Sequence, residues 1–200
     1  MIVKGVIFDL DGTILNSFQQ RVRAWRKAFE TQGIFLQDSE IESLIGLPGM
    51  DLAKKFSNKP KLIEELEEQY FLEMLPQISI YEDYEETLAK LESIGIKSII
   101  VTSSRRALVN RLNLGNVQVV TIDDVISGKP NTEAYLKASE ILNVNIRNMI
   151  VVGDSINDMI PAKTLGIPAI LITHGRNSGV TLYDFLIKDL SDLINCIKLL

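Results

Sequence analysis

Two carboxylates stand two residues apart where an apolar run ends. Gly5-Val6-Ile7-Phe8 leads directly into Asp9-Leu10-Asp11-Gly12-Thr13-Ile14. The run leaves no helical gap and reads as a buried strand. Both acids therefore fall at the strand's carboxyl end, where open α/β sheets bind ligands. Charge is costly to bury unless it is paired or metal-bound. Suppose Asp9 attacks a phosphate monoester. Like charges about 4 Å apart repel by roughly 4 kcal/mol at an effective dielectric of about 20. Such chemistry needs a divalent cation, a fixed cationic side chain and aimed N–H donors.

Each requirement has a candidate at the end of another apolar run. Val152-Gly153-Asp154-Ser155-Ile156-Asn157-Asp158 repeats the opening pattern. Asp154 could complete an all-oxygen Mg²⁺ site with Asp9, since Mg²⁺ prefers a few carboxylates plus waters and substrate oxygens. Asp158, one helical turn on, could orient a metal-bound water or a lysine. Lys129 stands in Ser127-Gly128-Lys129-Pro130, mounted to neutralise a phosphoryl group and its nucleophile. Thr102-Ser103 ends another run and is expected to open a helix, whose first N–H groups and hydroxyl form an anion site. Singly, each has a plain reading: Asp11 a turn former, Thr13 a helix cap, Lys129 a solvated lysine, Asp154 an N-cap. Their recurrence, each at a strand's carboxyl end, makes joint coincidence improbable.

The elements that must position these residues follow from periodicity. Residues 3–8, 97–102, 148–152 and 169–173 read as parallel strands, with a weaker fifth at 117–122. Helical patterns separate most of them: Tyr84, Leu88 and Leu91 before Gly95; Tyr135, Ala138, Ile141 and Leu142 after an expected Thr132 N-cap; and Ile156, Met159 and Ile160, ending near Gly166. Alternating strands and helices predict an α/β fold with a doubly wound, mostly parallel, Rossmann-like sheet. Residues 17–81 break the rhythm. Phe18, Val22, Trp25 and Phe29 keep helical spacing up to Gly33, and Leu62, Leu66 and Tyr70 mark a long charged helix ending before Pro76. Gly46-Leu47-Pro48-Gly49 between them signals a loop. The expected organisation is a core of residues 1–16 and 82–200 and an all-helical cap of residues 17–81, placed to overhang the first strand's carboxyl end. The acidic cluster at 64–68 reads as a solvated helix face.

Composition bounds the rest. Two hundred residues, 46% apolar, suffice for one large domain or a core with a small insert. A net charge of −5 argues against nucleic acid or anionic membranes as partners. No apolar run approaches the roughly 18 residues of a membrane span. The first residues read as a strand rather than a cleavable leader, so a cytoplasmic protein is expected. The single Cys196 excludes an internal disulfide and is expected to serve as a small core hydrophobe in a C-terminal helix. That helix, with Leu193, Ile194, Ile197 and Leu200, is expected on the core, in a monomer or a homodimer.

Asp9-Leu10-Asp11-Gly12-Thr13, Thr102, Lys129-Pro130 and Gly153-Asp154-Ser155 with Asp158 resemble, in order and spacing, the four motifs of the haloacid-dehalogenase-like hydrolases. The helical insert resembles the small cap of the phosphoglycolate phosphatase and β-phosphoglucomutase branch. The resemblance implies a Mg²⁺-dependent phosphatase acting on a small phosphorylated metabolite. Asp9 would be the nucleophile and form an aspartyl-phosphate. Asp11 would protonate the leaving oxygen, then activate water. Thr102, Ser103 and Gly12 would bind the phosphoryl group, and Lys129 would bridge it to Asp9. Asp9, the Asp11 carbonyl and Asp154 would hold Mg²⁺, with Asp158 in support. Dehalogenase relatives lack an acid at the position of Asp11, because halide leaves without a proton, so Asp11 favours a phosphate ester or anhydride. The mutase branch carries a cap-hinge histidine where this chain has Arg21 in the neighbourhood, and an acid where Asn16 stands. The chain's single histidine, His174, reads as a solvated loop residue. A phosphomutase, a pyrophosphatase or a nucleotidase remain alternatives to a phosphoglycolate-phosphatase-like enzyme. The loop at 46–50, with Asp51, Lys54 and Lys55 behind it, resembles the cap loop that reaches the substrate. Arg21 and Arg105 are candidates for contacting an acidic leaving group, although exposed helix charges are the simpler reading.

Overall fold

The computed structural model describes residues 2–200. Six parallel strands form one sheet: β1 (Gly5–Phe8), β2 (Lys97–Val101), β3 (Gln118–Val120), β4 (Met149–Gly153), β5 (Ala169–Ile172) and β6 (Phe185–Ile187). Their order is β3-β2-β1-β4-β5-β6. β1 lies between β2 and β4, with Phe8 level with Ile100 on one side and Val152 on the other. The chain first builds outward through β2 and β3, then returns to the other side of β1. That reversal opens the crevice in which α/β sheets bind ligands.

Side chains alternate between the two faces of the sheet, and both faces are covered. Val6, Phe8, Ile100, Val152 and Ile170 pack with Leu91 of α5 (Tyr84–Ser93) and with Leu193 and Cys196 of α9 (Leu193–Ile197). Ile7, Ile99, Val101, Val151 and Leu171 pack with Tyr135 and Ala138 of α7 (Glu133–Leu142) and with Met159 and Ala162 of α8 (Ile156–Leu165). Burial on both faces explains why these strands read as unbroken apolar runs. The C-terminal helix packs on the core, with Cys196 buried, as its apolar spacing implies.

Residues between β1 and α5 contain four α-helices: α1 (Phe18–Thr31), α2 (Asp38–Glu42), α3 (Gly49–Lys54) and α4 (Pro60–Met74). They bury a cluster of their own around Val22, Trp25, Phe29, Ile41, Leu52 and Ile63. The short α6 (Arg106–Val109) follows β2. Among the described residues no helix is long and apolar enough to cross a membrane.

Four expectations require correction. β6 has no place among the expected strands. It is a three-residue edge strand, too short to show a period. No helix opens at Thr102-Ser103: the Thr102 hydroxyl accepts the Ser104 N–H at 3.0 Å, forming a turn that delays α6 to Arg106. Thr132 stands at the N-cap position of α7 as expected, but its side chain makes no cap, and the Asn131 carboxamide oxygen accepts the Glu133 N–H at 2.9 Å. The acidic stretch on α4 is no purely solvated face. Glu67 is buried, and its Oε1 accepts from Arg21 Nη1 on α1 at 3.0 Å. The Arg21 guanidinium lies 3.5 Å over the Phe71 ring, so this ion pair is packed into the seam between α1 and α4.

Desolvation pushes the Glu67 carboxyl up to about 7, against the pull of Arg21. Between its ordinary value and about 7, the folded chain keeps a proton that the unfolded chain has lost. This group therefore makes the fold less stable as pH rises through that window. In urea unfolding of wild type and Glu67→Gln, wild type should gain on the variant by on the order of 1–2 kcal/mol between about pH 8 and about pH 5.5. A pH-independent difference would contradict the assignment.

Candidate active site

The strand ends bring four acids, a lysine and a threonine to one cleft. Asp9 follows β1, Thr102 follows β2, Asp154 follows β4, and Asp158 lies in the first turn of α8. Lys129 arrives from the loop between β3 and α7. All but Asp11 are buried. Lys129 Nζ donates to Asp9 Oδ1 at 2.6 Å and to Asp158 Oδ1 at 2.7 Å. Burial works against the ammonium, but Asp158 and Asp9 outweigh it and hold Lys129 well above its ordinary value.

Asp158 is fully engaged. Its Oδ1 also accepts from the Tyr135 hydroxyl at 3.3 Å, and its Oδ2 accepts the Ser155 N–H and hydroxyl at 3.2 and 2.7 Å. The contact with Oδ2 is a capping box at the start of α8. It makes Asp158 a rigid orienting group. Close packing enforces this position: a Cβ on Gly153 would lie 2.4 Å from Asp158 Cβ.

Carboxylate oxygens of Asp9, Asp154 and Asp158 lie within 4.8 Å of one another. Burial, with Asp158 and Asp154 nearby, pushes Asp9 well above the usual carboxylate range despite Lys129. Burial likewise lifts Asp154 to about 6, although Arg176 opposes it. Lys129 and Arg176 together thus undercompensate three carboxylates. The residues present fit a hard divalent cation, which takes oxygen donors and would offset the remaining charge. Asp9 and Asp154 are the donors of choice, because Asp158 has committed both oxygens elsewhere.

Asp11 faces a different partner. Its carboxylate accepts from Arg21 Nε and Nη2 at 3.2 and 3.0 Å, from Ser17 Oγ at 2.8 Å and from Ser104 Oγ at 2.8 Å. Burial alone would raise its pKa, but Arg21, Ser17 and Ser104 outweigh it and bring the carboxyl below its ordinary value. Arg21 is therefore no exposed helix charge: it ties Asp11 to Glu67. Arg105 is half exposed, and it pairs with Glu64 at 3.0 Å and Glu68 at 3.6 Å.

The cleft between sheet and helices is lined by Asp9, Asp11, Thr102 and Ser103 below and by Trp25, Glu64, Glu67 and Glu68 above. Gly46 and Leu47 of the expected loop also line it. Asp51, Lys54 and Lys55 do not, and Lys54 is paired with Asp51 at the surface. Ser103 Oγ lies 3.5 Å from the Gly46 carbonyl, which it can reach as donor. Gly12 has φ +79° and gives its N–H to the Leu15 carbonyl at 2.9 Å. What Gly12 supplies is close approach: a Cβ there would lie 2.1 Å from Asp154 Oδ2.

Several contributors escaped the sequence reading. Ser17 and Ser104 had no chemical signal beyond their hydroxyls. Arg176 donates to Asp154 Oδ2 at 2.8 Å and to the Gly12 carbonyl at 3.0 Å. Its neighbourhood after the fifth strand was the available clue. His174 is not solvated: its ring stacks on Tyr81 with centroids 3.4 Å apart, and Nε2 lies 3.0 Å from the Thr13 carbonyl. A carbonyl only accepts, so Nε2 carries the proton. This pair clamps the turn after Asp11 from behind.

The site's geometry has counterparts among known proteins. The chain is 30% identical over 203 residues, 95% of each chain, to validoxylamine A 7'-phosphate phosphatase of Streptomyces hygroscopicus subsp. limoneus. It is 29% identical over 214 residues to a putative pyrophosphatase of Caldanaerobacter subterraneus subsp. tengcongensis, covering 99% of this chain and 96% of that one. Identity to the phosphoglycolate phosphatase of Yersinia pseudotuberculosis is 28% over 218 residues, 98% and 94% of the two chains. A crystal structure of a hydrolase from Pseudomonas syringae superposes with a TM-score of 0.88 at 25% identity, covering 98% and 99%. The model of the haloacid dehalogenase-like hydrolases matches residues 6–172, which span every motif from Asp9 to Asp158. The chain belongs to the haloacid dehalogenase-like hydrolase family, with phosphatases among its relatives.

Proposed function

We propose that the chain is a Mg²⁺-dependent phosphatase that hydrolyses a small-molecule phosphate monoester through an aspartyl-phosphate on Asp9. The observation that carries this reading is the buried Lys129 ammonium held between Asp9 and Asp158, 2.6 and 2.7 Å away. A lysine so fixed serves chemistry in which a carboxylate and a phosphoryl group must share one place.

Asp9, the Asp11 carbonyl and Asp154 would hold Mg²⁺. Bound there, the ion supplies charge neutralisation for the phosphoryl oxygens. The chain's own residues do the rest. The Asp9 carboxylate attacks phosphorus, and the alcohol leaves with a proton from Asp11. Thr102, whose hydroxyl proton remains available for donation, and Ser103 bind phosphoryl oxygens, while Lys129 bridges them to Asp9. Asp11, now a carboxylate, takes a proton from the water that hydrolyses the acyl phosphate. For the first step Asp11 must take up a proton and be released by Arg21, so the arrangement described suits the second step better.

Residues 17–81 act in this reading as a cap over a core of residues 1–16 and 82–200, closing the cleft above Asp9. A phosphomutase gains no support: Arg21 stands near the hinge position where that branch has histidine, and it is occupied by Asp11 and Glu67.

With an aryl phosphate as probe, Asp9→Asn should lower kcat by roughly 10⁴-fold or more, with the folded far-UV spectrum retained. Substantial residual turnover sinks the covalent route. Chelation should abolish wild-type turnover and added Mg²⁺ restore it; activity indifferent to chelator contradicts the metal assignment.

A further inference from the structure

The cap side of the cleft carries its own charge pattern. Glu64, Glu67 and Glu68 of α4 line it, against the two guanidinium groups of Arg21 and Arg105. Both arginines are already paired with acids of the cleft, and Arg21 keeps Glu67 as its counterion when Asp11 is released. Arg21 commits Nε and Nη2 to Asp11 and Nη1 to Glu67, and one face of its guanidinium is covered by Phe71. Arg105 spans Glu64 and Glu68, and its Nη1 lies 3.5 Å from Asp123. The arginines thus neutralise their neighbours, and the acids remain in excess.

A second carboxylate or phosphate on the substrate would enter beside these acids, where the two lining arginines are already paired. A hydroxyl or an ammonium would instead donate to them. Each contact from Arg105 engages one oxygen, Oε2, of Glu64 and of Glu68, and a carboxylate has capacity for several donors. Trp25 contributes a planar apolar wall to the same cleft, suited to the C–H face of a carbon skeleton.

Resting on the phosphatase reading above, we propose that the leaving group is a hydroxyl-rich alcohol, uncharged or bearing an ammonium, and that Glu64 and Glu68 select against leaving groups with a carboxylate or a second phosphate. Arg21 and Arg105 are then brackets for the acidic wall rather than receptors for an anion. This reverses the expectation that they contact an acidic leaving group.

The test uses esters matched in size. Glycerol 3-phosphate is compared with 3-phosphoglycerate, and 2-hydroxyethyl phosphate with phosphoglycolate. Each pair differs by a hydroxymethyl group against a carboxylate. An aryl phosphate serves as general probe. The hydroxymethyl member of each pair should have the higher kcat/KM, by at least about tenfold, and O-phosphoethanolamine should also exceed phosphoglycolate. In Glu64→Gln/Glu68→Gln the ratio within each pair should fall toward one, a change that general loss of folding does not produce. Equal or better use of the carboxylate members by wild type overturns the selectivity while leaving the phosphatase reading intact. Turnover of none of the esters, the aryl phosphate included, overturns both.

Discussion

One buried ammonium holds this site together. Lys129 sits between Asp9 and Asp158 with almost no exposure, and the strand order brings Asp154 beside them. The three neighbouring carboxylates of Asp9, Asp154 and Asp158 would repel one another more strongly without it. Removing one partner of such a buried set leaves uncompensated charge, which costs about 3–5 kcal/mol. The lysine therefore ties stability to function. Its position depends on Asp158, which depends in turn on the capping box with Ser155 and on the absence of a side chain at Gly153.

The two acids of the opening motif live in opposite electrostatic surroundings. Asp9 is raised by burial among acids, while Asp11 is lowered by Arg21, Ser17 and Ser104. The proposed roles demand the reverse: an ionised nucleophile and a protonated acid. A divalent cation beside Asp9 would lower its pKa, and a phosphate dianion approaching Asp11 would raise that of Asp11. Binding of cation and substrate would thus move each group toward the state its proposed role needs. The Arg21 contact reaches from α1 in the helical cluster to the acid on the core, so release of Asp11 is coupled to how those helices sit.

The strand-end motifs were legible because a parallel strand buried on both faces leaves an unbroken apolar run, and a polar residue ending that run stands out. Asp9 and Asp154 stand out this way, Asp158 lies one helical turn beyond Asp154 and Lys129 in the loop before Pro130, and the structure brings their side chains together. The network around Asp11 was not legible. Glu67 and Ser104 lie 46 and 83 residues from Arg21 along the chain, and each looks like an ordinary surface residue in its own segment. Their burial arises only when α1 packs on α4 over the sheet. Local turn chemistry hid other features: the Thr102 hydroxyl delays α6, and β6 is an edge strand of three residues. His174 was hidden for the same reason as Arg21, since its partners Thr13 and Tyr81 are distant in sequence.

The proposed mechanism turns on a covalent bond between Asp9 and phosphorus. Wild-type protein turning over a phosphate ester with Mg²⁺ can be quenched in acid, digested and mapped by mass spectrometry. A phosphoryl adduct is expected on the peptide that carries Asp9, lost on treatment with hydroxylamine and absent from Asp9→Asn. Rapid turnover with the adduct on another residue, or with none at any time in a single turnover, would contradict it.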